Sequence, residues 1–263
     1  MSRTAREAGR IVRYAALAFI VGFMFAPTVI MAVLSFSGES RVSFPPEDWG
    51  LRQYDQALFG GRWMPALGRS LVVAGASSAV ALAVGVLALV AMNRAGLRGQ
   101  KLLQALAMGP LLVPSLAFAI ALYIVLARIH LLGTGAGLIL AHSVLALPFV
   151  VIVVNAAAAR VPLDLERAAM GLGAGRARAL LDVTGRILLP AFVAAAVLAF
   201  LTSFDEVVVT SFVAGIGYET LPRAIFDDVR SGVDPAIAAI GMLLTAVTAL
   251  LLGGAALVRR RAV

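Results

Sequence analysis

The sequence has no cysteine and little charge, and both shortages limit the classes of protein to which it can belong. Of its 263 residues, 61% are hydrophobic and only 14% are charged. Without cysteine the chain forms no disulfides and offers no thiolate ligands to a metal. A soluble domain of this length needs more polar surface, so the composition predicts a membrane protein.

Lysine is nearly absent as well, and this excludes a common nucleotide-binding motif. Lys101 is the one lysine, and no G-x-x-x-x-G-K-[ST] run surrounds it. Any ATP hydrolysis coupled to this chain must therefore come from a partner protein. The chain also lacks a metalloprotease H-E-x-x-H motif and a G-x-S-x-G nucleophile elbow. We expect neither a cofactor nor an enzymatic activity of its own.

Six apolar blocks are each long enough to cross a bilayer, which takes about 20 residues. They cover residues 11–36, 70–92, 102–127, 137–159, 188–213 and 236–258. The first block is too long for a signal peptide and is interpreted as a retained span. Small residues such as those of Gly75 to Ser78 are expected to bring the helices close together. The prediction is an all-α membrane protein of about six transmembrane helices, forming a single domain over residues 1–263.

The distribution of basic residues predicts the orientation of the chain. With the N-terminus in the cytoplasm, the cytoplasmic segments hold 15 arginines and lysines and the outer segments hold 7. Short cytoplasmic loops carry this excess in membrane proteins, so both termini are expected inside. The net charge of +8 lies in short segments between apolar blocks, which disfavours a nucleic-acid partner. Trp49, Tyr54 and Trp63 of the first outer loop are interpreted as anchors at the membrane interface rather than as docking residues.

The segment from residue 163 to 190, LDLERAAMGLGAGRARALLDVTGRILLP, is the longest polar stretch between apolar blocks. Asp164 is predicted to cap a short helix. The small apolar face of that helix holds Leu165, Ala168, Ala169 and Leu172. Glycines at 171, 173 and 175 predict a sharp turn, and residues 176–183 a second short helix. These features fit a surface that docks into another protein and equally a linker lying on the bilayer.

The same segment resembles the cytoplasmic signature of permease subunits of binding-protein-dependent ABC importers. That signature reads Glu-Ala-Ala, three residues, Gly, nine residues and Ile-x-Leu-Pro. Ala168, Ala169 and Gly173 stand in register with it, whereas Arg167 occupies the Glu position beside Glu166. Val183 occupies the Ile position, and Gly185-Arg186 replace Leu-Pro; a Leu-Pro pair follows at residues 189 and 190.

The resemblance implies a type I ABC importer permease fold and a coupling loop over about residues 160–187. It implies that the loop docks on a cytoplasmic ATPase, and the expected coupling residues are Glu166, Arg167, Ala168, Ala169, Gly171 and Gly173. The expected partners are a second permease subunit, two ATPase subunits that bind the ATP, and an extracytoplasmic solute-binding protein. The location implied is a bacterial inner membrane. The departures at 167 and 185–186 leave a further hypothesis, a permease relic with altered coupling.

The last third of the chain resembles spermidine/putrescine-type permeases. The matching positions are Asp205, Glu206, Thr210, Tyr218, Thr220, Leu221, Pro222 and Pro235. The resemblance implies a polyamine as the solute, with ferric iron, opine or thiamine as alternatives that share the pattern.

Asp205 and Glu206 lie in the fifth apolar block, where a carboxylate at a helix centre costs about 2.5–3.5 kcal/mol. Such groups usually face a bundle interior or a watery path, so both are candidates for the solute pathway. They also fit a structural pair that is hydrogen-bonded to neighbouring spans. His142 and Asn155 of the fourth block are weaker candidates, and a lone histidine in a span such as His142 is interpreted as a group satisfied by a neighbouring helix. A rival from another class, an intramembrane enzyme, would use Asp205, Glu206 and His142 as acid, base or metal ligands.

Overall fold

The chain is almost entirely helical in the computed structural model, which describes residues 3–94, 100–215, 217–232 and 234–261. Arg98, one of the residues used to predict the orientation, lies outside these ranges. The first helices are α1 (Arg3–Ser35), α2 (Arg52–Phe59), α3 (Trp63–Arg94), α4 (Gln100–Leu112), α5 (Ser115–Arg128) and α6 (Gly135–Ala158). After them come α7 (Leu163–Gly171), α8 (Arg176–Ala179), a π-helical segment (Leu180–Gly185), α9 (Arg186–Phe204), α10 (Val208–Val213), α11 (Leu221–Ser231) and α12 (Ala236–Arg261).

Each predicted apolar block coincides with a helix or a helix pair. Four stretches are long and apolar enough to cross a membrane on their own, namely Arg13–Ser35, Trp63–Ala88, Gly135–Ala158 and Arg176–Phe204. The described apolar part of α12 is shorter, at Ala236–Leu250. The all-α architecture is therefore as predicted, whereas several boundaries differ.

The third block was predicted as one span over residues 102–127 and is instead broken. Gln104–Leu112 and Ser115–Arg128 meet at an angle of 117°. Pro114, with φ −53° and ψ 134°, stands at the break. Proline has no N–H to donate and disfavours helical backbone at the residue before it, so the first helix ends at Leu112, before Val113. Pro27, Pro110 and Pro148 lie inside continuous helices.

The fifth block also differs from its predicted range of 188–213. Its helical run begins earlier, at Arg176, and ends at Phe204, before Asp205 and Glu206. Residues 208–213 form α10 as a separate short helix. The two carboxylates therefore lie in a break between helices, and the prediction of a position within one continuous span was wrong.

The chain forms two compact units, of which the larger covers residues 65–226. Its main packing joins α6 to α9 through small residues, including Ala146, Ala195 and Ala199. A Cβ added at Gly85 would lie 2.6 Å from Val150 Cγ1, so this glycine permits a close approach of α3 to α6. Ser77 Oγ donates to Ile139 O at 3.0 Å, and Ser78 Oγ donates to Ala196 O at 2.7 Å. The small residues predicted to pack helices together do so here.

The smaller unit covers residues 1–64 and 227–263, with α12 packed against α1 and α2. Arg62 Nη1 lies 2.6 Å from the buried Asp228 Oδ1, and its guanidinium lies 4.9 Å from the ring centre of Trp63. Trp63 is buried, and the Tyr54 hydroxyl donates to Ser35 Oγ at 3.0 Å. Only Trp49 of the three predicted interface aromatics is largely exposed, so Trp63 was wrongly interpreted as an anchor.

The loop before α2 in this unit is organised by one carboxylate. Glu39 accepts hydrogen bonds from Ser43 Oγ and from the backbone N–H groups of Glu47 and Asp48. These bonds favour the charged form, led by the Ser43 hydroxyl, and they lower the pKa of Glu39.

Candidate functional site

The loop between α6 and α9 contains the short helix α7, which is followed by a glycine turn. The N–H of Ala174 donates to Ala169 O at 3.1 Å, and the N–H of Gly173 donates to Met170 O at 3.0 Å. Gly173 has φ +93°, in the left-handed region that favours glycine. The predicted glycine turn is therefore present and depends on Gly173.

The predicted cap at Asp164 was wrong. α7 begins at Leu163, with Pro162 as the preceding extended residue, so Asp164 lies inside the first turn. Its carboxylate instead accepts a hydrogen bond from Arg167 Nη1 at 3.0 Å, and both side chains are highly exposed. Exposed pairs of this kind are worth about 1 kcal/mol or less. The Asp164–Arg167 pair therefore shapes the charge of the surface more than it stabilises the helix.

No residue of α7 is buried in this chain. Leu172, directly after the helix, is 91% exposed, and Leu165 and Met170 are also exposed. Of the six expected coupling residues, Ala169 and Glu166 are partly covered, while the others are exposed. An exposed apolar helix flanked by charged side chains has the composition of a protein-docking surface.

Glu166 connects α7 to the next long helix. Its carboxylate Oε1 accepts a hydrogen bond from the hydroxyl of Thr184, a buried residue of the π-helical segment. α7 also packs against α8 and against this segment. A force applied to α7 therefore has a direct path to the start of α9.

The predicted second short helix over residues 176–183 is the first part of a longer run. α8, the π-helical segment and α9 follow one another without a gap from Arg176 to Phe204. A π-helical turn holds one extra residue per turn within a continuing helix, so the run does not end there. Within the coupling loop predicted over about 160–187, only the turn at residues 172–175 separates α7 from this run.

A second polar group lies inside the larger unit, where α6, α9 and α10 meet. His142 is fully buried, with Nδ1 2.8 Å from Ser203 Oγ and Nε2 3.0 Å from Thr210 Oγ1. Thr210 Oγ1 donates its proton to Glu206 O at 2.9 Å, so it accepts from His142 Nε2–H. Ser203 then donates to Nδ1. His142 is thus satisfied by neighbouring helices, as predicted. We call His142, Ser203 and Thr210 the buried junction.

The two candidate pathway carboxylates differ in their surroundings. Asp205 ends α9, and its side chain is exposed in this chain. Glu206 is partly buried, and its Oε1 accepts a hydrogen bond from the N–H of Val209 at 2.8 Å at the start of α10. Glu206 therefore has a structural role in starting α10, whereas Asp205 is available to other groups. Among the described residues, no cluster of three or more His, Asp or Glu could hold a metal.

Two contributors to these sites were missed by sequence reasoning. Thr184 is separated from Glu166 by a turn and a change of helix type, so no periodicity relates them. Ser203 is one hydroxyl in an apolar block, and its pairing with His142 spans 61 residues. A rule that polar residues in neighbouring spans pair with one another would have found Ser203; no sequence signal would have found Thr184.

Comparison with known proteins gives first the fold of this chain and then its family. The structure resembles a crystallised bacterial ABC transporter involved in the import of the acidic polysaccharide alginate, with a TM-score of 0.75 over 97% of both chains. Their sequence identity is 15%, so this likeness concerns the fold alone. Residues 81–263 match the family described as the binding-protein-dependent transport system inner membrane component. The chain belongs to that family.

Curated relatives cover most of the chain. The putrescine transport system permease protein PotI of Escherichia coli K12 is 31% identical over 84% of this chain and 81% of its own length. The spermidine/putrescine transport system permease protein PotC of the same strain is 29% identical over 96% of this chain and 95% of its own. The putative 2-aminoethylphosphonate transport system permease protein PhnV of Salmonella paratyphi A is 31% identical, covering 90% and 89%.

The protein is therefore a multi-pass permease subunit of the inner membrane, with the type I importer fold. It is a transport subunit and not an enzyme, because its family and its curated relatives are transport permeases. Its partners are those of a binding-protein-dependent ABC importer.

Proposed function

We propose that this chain forms half of the translocation pathway of a polyamine importer and works by alternating access. The observation that supports a polyamine as the solute is the similarity to PotI and PotC over more than four fifths of the chain. In this proposal ATP-driven closure of the ATPases moves α7, and the long helices reorient. The departures from the signature at Arg167 and at residues 185–186 are compatible with coupling, because Glu166 holds α7 to the helical run that follows.

The decisive experiment for the solute uses the solute-binding protein encoded with this chain. Radiolabelled putrescine and spermidine are tested for binding to it, and uptake is then measured in proteoliposomes that hold the whole transporter. ATP-dependent uptake of either polyamine supports the proposal. Transport of ferric iron, an opine or thiamine instead would remove the polyamine and leave the permease assignment unchanged.

2-Aminoethylphosphonate is the second candidate solute, because the relative PhnV is as similar in identity as PotI. It shares a primary ammonium group with the polyamines and adds a phosphonate. Direct uptake decides between them: radiolabelled putrescine enters the proteoliposomes with ATP if polyamines are the solute, whereas radiolabelled 2-aminoethylphosphonate enters and putrescine does not in the other case.

The assembly proposed contains a second permease, two ATPase subunits and a solute-binding protein. The unburied α7 supports ATPase docking through the six coupling residues and the exposed Leu172. Leu172→Ser is expected to lower co-purification of the ATPase, because a large apolar contact is lost. Leu51→Ser is the matched control, since Leu51 is also exposed but precedes α2. Equal co-purification of both variants would contradict docking at α7.

Both termini are proposed to be cytoplasmic, on the strength of the arginine and lysine bias. Because the chain contains no cysteine, a single introduced thiol reports its own side of the membrane. In intact cells an impermeant maleimide is expected to label Leu51→Cys and to leave Leu172→Cys unlabelled until the membrane is opened. The reverse pattern would invert the orientation.

Asp205 is proposed as a group of the solute pathway, supported by its exposed carboxylate beside the buried junction. Its negative charge would attract a cationic solute. Asp205→Asn is expected to slow polyamine uptake without lowering the yield of the complex, whereas Glu206→Gln is expected to lower the yield because α10 loses a charged acceptor. If uptake by Asp205→Asn is unchanged, Asp205 has only a structural role.

A further inference from the structure

A cleft of about 220 Å³ opens between α4 and α6, and its polar groups are two carboxamides. Gln104 comes from the second turn of α4 and Asn155 from the last turn of α6. The remaining lining residues are Ala105, Met108, Val151 and Ile152. An open space with two amides and aliphatic walls is unusual between helices that are otherwise apolar.

The two carboxamides have no internal partner in the described residues. Both side chains are half-buried, and neither amide hydrogen-bonds to another described residue. By contrast, the neighbouring polar side chains Ser77, Ser78 and His142 all have protein partners. An amide without a hydrogen-bond partner in an apolar surrounding costs free energy, so the amides of Gln104 and Asn155 are left to bond water or a polar occupant of the open cleft.

The chemistry of the cleft suits a small ammonium compound. Each amide oxygen accepts hydrogen bonds from an ammonium group, and the methionine and branched aliphatic side chains suit the methylene chain of such a compound. The site carries no formal charge, which suits passage, because a solute in transit must be bound weakly enough to leave. We infer that Gln104 and Asn155 form a transient binding site for a primary alkylammonium solute.

The position of the cleft gives it a place in the transport cycle. Asn155 lies in the last turn of α6, and the chain passes from there through Pro162 into α7. Any displacement of α7 therefore acts on the end of the helix that carries Asn155. The site is at the end of the pathway next to the ATPase-docking loop, where release of the solute takes place. This inference rests on the proposed polyamine transport.

The first test measures putrescine uptake by the complete transporter in proteoliposomes. The double variant Gln104→Met/Asn155→Leu keeps side-chain size and removes both amides. Its initial rate is expected to fall about tenfold, the usual order of effect for lost hydrogen bonds to a charged group. Gln56→Met is the control, because Gln56 is an exposed amide on α2, and its uptake is expected to equal that of the unchanged protein.

The second test reports occupancy directly and does not depend on the assembly of the double variant. Ala105→Cys places the chain's one thiol in the cleft, and its labelling by a small maleimide is followed on this chain in the complete transporter. Putrescine is expected to slow the labelling severalfold, while Leu51→Cys labels at the same rate with and without it. Full uptake by the double variant together with labelling unaffected by putrescine would overturn the inference.

The two tests also separate this inference from the proposed function. If the unchanged transporter does not move putrescine, polyamine transport fails as the function, and the labelling is repeated with 2-aminoethylphosphonate. Protection by that compound would keep the cleft as an ammonium site. The site is refuted if neither compound slows the labelling of the thiol. It is also refuted if the thiol is not labelled even without solute, because the second permease then covers the cleft.

Discussion

The α7 loop and the buried junction are the two polar regions of the larger unit, and they are built in opposite ways. In the junction His142 is fully enclosed and each ring nitrogen has a hydroxyl partner. In the loop no residue of α7 is buried, and the ion pair of Asp164 with Arg167 is exposed. The junction is satisfied within one chain, whereas the side chains of α7 are left uncovered by this chain.

The comparison indicates which polar residues serve the fold and which serve the partners. A buried network that is fully satisfied stabilises one arrangement of helices and tolerates little change. An uncovered surface tolerates change in the isolated chain and shows its importance in the assembled complex. Substitutions in the two regions should therefore affect different measurements.

The largest effect is expected from His142→Ala. The change leaves the buried Ser203 hydroxyl without its His142 partner, removes the donor to Thr210 Oγ1 and opens a cavity, at a cost of about 3 kcal/mol or more in the free energy of unfolding. Thermal unfolding of the purified complex measures it as a lower melting temperature and yield. His142→Asn can retain the bond to Ser203, and His142→Gln can retain the bond to Thr210. Comparing the melting temperatures of these two variants shows which bond contributes more to stability. Stability unchanged in all three would remove the junction's structural role.

The next effect concerns the contact of Glu166 with Thr184, which joins α7 to the helical run that carries Ser203 near its far end. Glu166→Gln, Thr184→Val and the double variant are compared for ATP-dependent uptake and for ATPase activity. Each single change is expected to reduce uptake about tenfold relative to ATP hydrolysis, since a hydrogen bond to a charged group is lost. The double variant should be no worse than either single one. Fully additive losses would mean that the two residues act separately.

About half of this arrangement could be predicted from the sequence. The apolar blocks, the glycine turn and a satisfied His142 follow from local patterns, because span length, glycine conformation and the cost of buried polar groups are local rules. The break at Pro114 also has a local signal, because proline disfavours helical backbone at the residue before it. The pairing of Glu166 with Thr184 and the cleft at Gln104 and Asn155 depend on how helices far apart in sequence pack, so no local pattern contains them.

A smaller effect is expected from Gly173→Ala, which tests the shape of the loop alone. Alanine at φ +93° costs about 1–2 kcal/mol and strains the turn after α7. The expected result is weaker co-purification of the ATPase, with the melting temperature lowered by only a few degrees. Gly175→Ala is the control, because Gly175 is not an expected coupling residue, has an ordinary φ of −65° and has open space for an added methyl group. Equal binding by both variants would mean that the turn is not needed for docking.

The smallest effect is expected from Arg167→Glu. The exposed pair with Asp164 is lost and a like-charge repulsion replaces it, which changes stability by about 0.5 kcal/mol. Stability of the isolated chain should hardly move, whereas ATPase co-purification should improve if the arginine weakens a family signature. No change in co-purification or uptake would mean that the departure at 167 is harmless.

The π-helical segment Leu180–Gly185 has a mechanical consequence for the long run from Arg176 to Phe204. A wide turn holds one residue more than a regular turn, and it can migrate along a helix without breaking the helix. Each residue of migration rotates the part that it passes by about 100°, one step of an α-helix. A short push on α7, passed through Glu166 to Thr184, would then be converted into a twist of the membrane helix about its own axis.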